Sequence, residues 1–304
     1  MTLQKSELST TMEKDSTLTH LVSLIHLRSG LRSYFRLALP GKCRPQCLRD
    51  RRLTFSSAGI KFGSTHAEGI FVSALSPHIL APRVKAIRES AAAAGRNPQS
   101  VKIFAVITPI LGRTEEEAKQ KYEDAKGYAL FEGGLAQFSA TTGIDVSKID
   151  PDTEVSESDI SVEGRVHSAV NNLRHHGVDV PKLTPKNLGI ITSIGGGGAV
   201  PVGTAEQVAD ILELWVDIAD LDGFNIGYVI TPGSFEDVVE LLVPELRKRG
   251  RYPPARTEQE EPLTFREQIY GKGQQRLRDD HVGHKYRYDN YENAIKEEEE
   301  LAQN

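Results

Sequence analysis

Gly69-Ile70-Phe71-Val72-Ser73-Ala74 is a short apolar run bounded by polar residues, the pattern of a buried β-strand. Ser76-Pro77 follows, with serine placed to cap a helix and proline at its first position. The helix is expected to reach about Ala94, where Gly95-Arg96-Asn97-Pro98 stops it. The same succession recurs downstream. Val101 to Ile107 is a second β-branched run, and Thr114-Glu115-Glu116-Glu117 opens a helix with a capping box. Thr204-Ala205-Glu206-Gln207 is another such box, followed at helical spacing by Val208, Ile211, Leu212, Trp215, Ile218 and Ala219. Gly223 to Ile230 reads as a third strand, and Ser234 caps a helix that carries Val238, Val239, Leu241, Leu242 and Leu246 up to Gly250. Alternation of strand and helix predicts an α/β protein built of βα units on a parallel sheet. Right-handed crossovers leave a doubly wound sheet or a (β/α)8 barrel. No G-x-G-x-x-G follows a strand, which lowers the dinucleotide-binding option. A full barrel needs eight units and about 250 residues, whereas this chain shows three, so the expectation is an incomplete one.

Charge divides the chain unevenly. The 304 residues hold 37 Lys and Arg against 42 Asp and Glu, a net charge of −5. Residues 1–55 alone hold ten Lys and Arg and four Asp and Glu, a surplus of six, which leaves −11 on the other 249 residues. Such asymmetry marks 1–55 as a basic leader outside the main fold, expected to be poorly ordered. Its Leu18–Leu27 run before Arg28, Arg32 and Arg36 also fits an amphipathic mitochondrial presequence, though Glu7, Glu13 and Asp15 precede it. At the other end, residues 291–304 form an acidic tail with Glu297 to Glu300 in succession. The overall negative charge argues against a nucleic-acid binder. No apolar run approaches the 18 residues of a membrane span. Two cysteines, Cys43 and Cys47, cannot make a disulfide framework, so a cytoplasmic location is expected. As C-x-x-x-C without nearby histidine they are also a poor zinc site, and no metal is expected.

Residues from about 126 to 202 break the βα rhythm. They include Gly133-Gly134, an acid-rich stretch from Asp150 to Asp159, and Gly195-Gly196-Gly197-Gly198. An insertion of this length is more often a lid or a disordered segment than scaffold. Four successive glycines predict a mobile or closely approached loop; they lack the Lys-Ser/Thr of a phosphate-cradling P-loop.

Several stretches resemble the luciferase-like flavin monooxygenases, in the branch holding nitrilotriacetate monooxygenase component A, dibenzothiophene-sulfone monooxygenase and long-chain alkane monooxygenase. They are Ser56-Ser57-Ala58-Gly59-Ile60-Lys61-Phe62-Gly63-Ser64-Thr65-His66-Ala67-Glu68-Gly69-Ile70-Phe71, then Phe138 to Asp145, Val202 to Asp210, Asp222 to Ile226, Pro232 to Asp237, Val243 to Leu246 and Leu263 to Glu267. They occur in family order and cover 56–290, with an insertion at about 126–202. The resemblance implies a (β/α)8 TIM barrel of which this chain holds the C-terminal βα units plus a lid-like insertion, the N-terminal half of the barrel missing. It implies a monooxygenase using reduced FMN from a separate flavin reductase, with O2 and a small organic substrate, possible homo-oligomerisation, and no nucleic-acid or membrane partner. The family's Gln-Ala-Gly before the serines is replaced here by Leu53-Thr54-Phe55, so a misread or truncated coding sequence near Phe55 is expected. Activity is therefore in question, and an inactive fragment or non-enzymatic α/β binding protein is the alternative.

By the same resemblance Ser56, with Ser57 and Gly59 in the adjacent turn, would contact the FMN phosphate. A hydroxyl beside free N–H groups at a helix N-terminus is a sound anion site; an ordinary helix cap is the plainer account. Phe138, Ser139, Thr142 and Gly143 would belong to a substrate lid that excludes water, or else to a loop packed by Phe138. No catalytic residue is assigned. His66 reads as a packing residue, His175-His176 as a helix end, and His281 with His284 as an H-x-x-H without a third metal ligand. Arg247-Lys248-Arg249 suits a helix C-terminus, where cations complement the dipole.

Overall fold

The structure, a computed structural model, describes residues 24–26, 47–48, 57–155, 182–254, 263–288, 290, 292 and 295. Its strands are β1 (Leu24–His26), β2 (Cys47–Leu48), β3 (Gly69–Val72), β4 (Lys102–Ile107), β5 (Ile110–Leu111), β6 (Val202–Gly203) and β7 (Gly223–Ile226). One sheet has the order β1-β7-β4-β3-β2, in which β7, β4, β3 and β2 are parallel and β1 is antiparallel to β7. β3, β4 and β7 lie side by side in the order in which they occur in the chain, with β5 and β6 intervening between β4 and β7 in sequence. The short β5 and β6 pair in parallel as a second sheet.

Helix α1 (Ser57–His66) precedes β3, and α2 (Pro77–Ala93) joins β3 to β4. Ser76 caps α2 as its sequence predicts, accepting from the His78 N–H at 3.3 Å, and Gly95 ends it at φ +76°. After β5 come α3 (Glu115–Tyr128), α4 (Phe131–Thr142), α5 (Pro185–Gly195) and, beyond β6, α6 (Ala205–Ala219). The Thr204–Gln207 capping box is present in full. At Thr114, by contrast, Glu117 turns its carboxylate to the Arg113 N–H instead of the cap's own. After β7, α7 (Gly233–Asp237) runs through a π-helical turn (Val238–Leu242) into α8 (Val243–Lys248). A final helix, α9 (Phe265–Tyr270), opens the C-terminal segment.

The strands have two distinct faces, because side chains alternate along a strand. Ile70 and Val72, Ile103, Ala105 and Ile107, Phe224 and Ile226 join the main core with α2 residues Leu80, Val84 and Ile87 and α6 residues Val208, Leu212 and Trp215. The other face carries Phe71, Phe104, Val106 and Asn225. Of these Phe104 is buried, while Phe71, Val106 and Asn225 are half-buried. All the core helices thus pack on one side of the β3-β4-β7 run.

At the N-terminal ends of the strands lies a buried ionic cluster. Asp222, fully buried, accepts from Arg88 Nη2 at 2.7 Å, Lys102 Nζ at 3.1 Å and the Ile103 N–H at 2.9 Å. Burial alone would raise its carboxyl, yet Lys102 and Arg88 hold it below the usual carboxylate range. The C-terminal segment crosses the same end: Arg266 grips Glu68 with two hydrogen bonds of 2.8 and 2.9 Å, and Tyr270 Oη donates to the Glu68 and Ser100 carbonyls. Charge pairing at this end of the sheet, away from the ligand-binding end of such folds, serves stability.

Candidate functional site

In open and closed α/β sheets, ligands bind beyond the carboxyl ends of the strands. Here those ends bring together Ser73 after β3, Thr108 after β4, Asn225 within β7 and Gly227 after it. Their placement follows from the strand register. Val106 pairs with Asn225, and Val72 with Ala105, so Ser73, Val106 and Asn225 form one row on the face away from the helices. Thr108 and Gly227 form the next row outward, Gly227 donating to the Ile107 carbonyl at 2.7 Å. A Cβ at Gly227 would collide with Thr108 Oγ1, so glycine is what lets that hydroxyl lie against the β7 backbone. None of these side chains is ionisable, which makes the outer rows a neutral surface.

The long insertion returns to this point. α5 ends at Gly195, and Gly196 closes it in the left-handed region at φ +58°. The chain then runs beside the outer part of β4: Ser73 Oγ donates to the Gly197 carbonyl at 2.9 Å, Thr108 N to the Ala199 carbonyl at 2.9 Å, and Ile110 N to the Pro201 carbonyl at 2.9 Å. A Cβ on Gly198 would stand 2.8 Å from the Val106 carbonyl. The four-glycine stretch is therefore a close-approach loop moored to the strand ends.

The proposed lid residues lie in the other part of the insertion. Phe138 and Ser139 belong to helix α4, not to a loop, and Phe138 is buried with Leu135, Ile144, Val146, Val155, Leu183 and Leu188 in a small core of its own. Thr142 Oγ1 donates to the Phe138 carbonyl at 2.7 Å and accepts from the Ile144 N–H at 3.1 Å, and Gly143 ends the helix at φ +75°. These four residues build the insertion's own fold. α4 packs on α5 where glycines permit: a Cβ on Gly134 would strike the Gly189 carbonyl, and one on Gly189 would lie 2.8 Å from the Phe131 ring.

Of the phosphate candidates, Ser56 lies outside the described residues. Ser57 is the exposed first residue of α1 and Gly59, two residues along, is buried. α1 and α2 end side by side: Ser64 Oγ donates to the Ile87 carbonyl at 3.1 Å, and Arg96, just past α2, donates to the Ser64 and Ala67 carbonyls at 2.7 and 2.8 Å. The first turn of α1, which holds no acidic residue, therefore lies at the level of the strands' C-terminal ends. His66 ends α1; its carbonyl meets His281 Nε2 at 3.2 Å, while His281 Nδ1 accepts from the Gly283 N–H. His281 is thus a buried neutral cap, its ring pushed down by burial and by Arg96. His175-His176 fall outside the described residues. Arg249 at the end of α8 binds Glu245, Asp210 and Glu213 rather than a ligand. Among the described residues no group of three His, Cys, Asp or Glu could hold a metal, and no helix is long and apolar enough to cross a membrane.

Sequence reasoning missed Ser73, Thr108 and Asn225. Ser73 and Asn225 sit inside strand runs and Thr108 one residue past one, with no motif to mark them; the period-two pattern places each opposite the core face, and Asn225 is the one polar side chain of its strand.

Comparison with known proteins bears on the same elements. The family model described as luciferase-like monooxygenase matches residues 54–220. The dimethyl-sulfide monooxygenase of Hyphomicrobium sulfonivorans is 38% identical over 232 residues, 76% of this chain and 47% of that protein. The long-chain alkane monooxygenase of Geobacillus thermodenitrificans (strain NG80-2) is 35% identical over 268 residues, 87% of this chain and 55% of that one. The crystal structure of a riboflavin lyase with modified FMN and riboflavin superposes with a TM-score of 0.62 at 35% identity, covering 77% of this chain and 49% of the lyase. The chain spans about half the length of the curated relatives it matches. It belongs to the luciferase-like monooxygenase family.

Proposed function

We propose that this chain is the C-terminal portion of a flavin-dependent monooxygenase barrel, with the face away from the helices as the barrel interior. The observation that carries this reading is the run β3-β4-β7: neighbouring parallel strands in chain order, the helices of the main core on one side, and a neutral set of described side chains at the strands' C-terminal ends. The residues present fit FMN. The acid-free first turn of α1, with Ser56, Ser57 and Gly59, would take the phosphate through backbone N–H groups and hydroxyls. The ring would lie across the outer rows of the three strands. Reduced FMN, delivered by a separate reductase, supplies the electrons for using O2 on an organic substrate. The chain's own contribution is to bind the phosphate, orient the ring, and exclude water with the α4–α5 insertion moored at Gly197 and Ala199.

One observation favours a second reading, an inactive flavin-binding protein. β1 lies along β7 and β2 along β3, so leader strands cover both edges of the parallel run.

Titration of the full chain with FMN and with riboflavin tests the phosphate assignment. Ser57→Ala is expected to weaken FMN about tenfold, the scale of a lost charge-assisted hydrogen bond, and to leave riboflavin unchanged. Equal loss for both flavins contradicts it. Photoreduced FMN with O2 and dimethyl sulfide or a long-chain alkane as probe then separates the readings: oxygenated product favours the enzyme, binding without product the second reading.

A further inference from the structure

Two polar side chains at the strand ends have no structural employment. Ser73 is committed to the Gly197 carbonyl. Among the described residues, neither the Asn225 carboxamide nor the Thr108 hydroxyl has a hydrogen-bond partner. Both stand on the face away from the helices, on adjoining strands and in adjoining rows, since Val106 pairs with Asn225 and Ile107 with Ile226. Beneath them the surface is apolar: Val106 in the same row, and Phe71 against Phe104, ring centroids 5.8 Å apart, one row below. Among the described residues no charged side chain stands in either outer row. Asn225 is half-buried and Thr108 buried, and a polar side chain so placed is a cost to the fold unless something satisfies it.

The donor set identifies what would satisfy it. A carboxamide offers a donor and an acceptor side by side, and a hydroxyl adds one more of either kind. The imide edge of a flavin ring presents carbonyl, N–H, carbonyl in a row, which a donor–acceptor–donor array complements fully. A phosphate would call for basic groups, and an alkane or thioether would leave all three functions unmet. The span also suits one cofactor. Two strand steps of about 4.8 Å separate β3 from β7, and α1, whose first turn holds the phosphate in the reading above, packs on α2.

We propose that the Asn225 carboxamide and the Thr108 hydroxyl form a neutral subsite that reads the imide edge of the flavin ring and so fixes its orientation over the strand ends. This rests on the flavin-binding reading. Asn225 and Thr108 act as binding and positioning residues. Gly227 belongs to the device because it leaves the Thr108 hydroxyl its place.

The test is titration of the full chain with oxidised FMN and with FMN methylated at the imide nitrogen, for wild type, Asn225→Leu and Thr108→Val. Asn225→Leu is expected to weaken FMN about tenfold and Thr108→Val several-fold, with thermal unfolding unchanged. The methylated flavin should bind wild type about as weakly as FMN binds Asn225→Leu, and that substitution should cost it nothing further. A merely structural role for Asn225 would not produce this non-additivity. Wild-type binding of FMN with no loss in either variant, or no penalty for methylation, overturns the subsite alone. Failure of wild type to bind FMN overturns the subsite and the flavin reading together. Should Asn225→Leu not fold, Thr108→Val and the methylated flavin decide the matter by the same criteria.

Discussion

Asp222→Ala is expected to lower the stability of the chain by about 3–5 kcal/mol, the scale on which a buried ion pair fails when one partner is removed. The carboxylate is fully buried and receives Arg88, Lys102 and the Ile103 N–H at once. Without it, two cations and a backbone donor remain buried against each other. Arg88 keeps Asp220, 3.0 Å from its Nε, so Lys102 bears most of the loss. Urea unfolding of wild type, Asp222→Ala, Lys102→Met and the double variant checks this. The expected pattern is strongly non-additive, the double variant being more stable than the two single losses predict. Additive losses would show that the three groups are not one unit.

Phe224→Ala should cost a similar amount, about 3–5 kcal/mol, for a different reason. Phe224 is fully buried on the helix side of β7 and meets Trp215 of α6 edge-on, ring centroids 6.5 Å apart. It sits between sheet and helix, where relaxation to fill the cavity would require moving a strand. In a chain of this size such a loss lowers Tm by on the order of 10 °C. Thermal unfolding measures it directly. A shift of a degree or two would mean that Phe224 does not face the helices, and the assignment of faces along β7 would be wrong.

The scaffold was readable because its signals are local. Ser76-Pro77, the Thr204–Gln207 box and Gly95 act within one turn of helix, and each does what its chemistry dictates. The parallel sheet followed from their alternation. What the sequence did not show was long-range. Nothing in the sequence links Lys102 to Asp222, 120 residues on, and only the pairing of β4 with β7 turns them into a buried ion pair. Phe138 to Gly143 matched a family segment, yet the packing of α4 on α5 employs Phe138 and Thr142 in the insertion's own core and helix end. The four glycines left a mobile or a close-approach loop open, and the structure shows the second at Gly198, whose lack of a side chain is used against the Val106 carbonyl, 92 residues away. Thr108 lies one residue past the Val101–Ile107 run and Asn225 inside the Gly223–Ile230 run, and neither stands out, because a run specifies a strand before it specifies which face holds the core.

The central claim is that one end of the parallel run, the C-terminal end, receives a flavin. Amide hydrogen exchange of the full chain with and without FMN tests it most directly. The account predicts slower exchange on FMN addition at residues 57–60, at Gly197 and Gly198, and at Thr108 and Gly227, with Glu68, Lys102 and Asp222 at the opposite end unchanged. Protection confined to that opposite end, or none anywhere at saturating FMN, would contradict it.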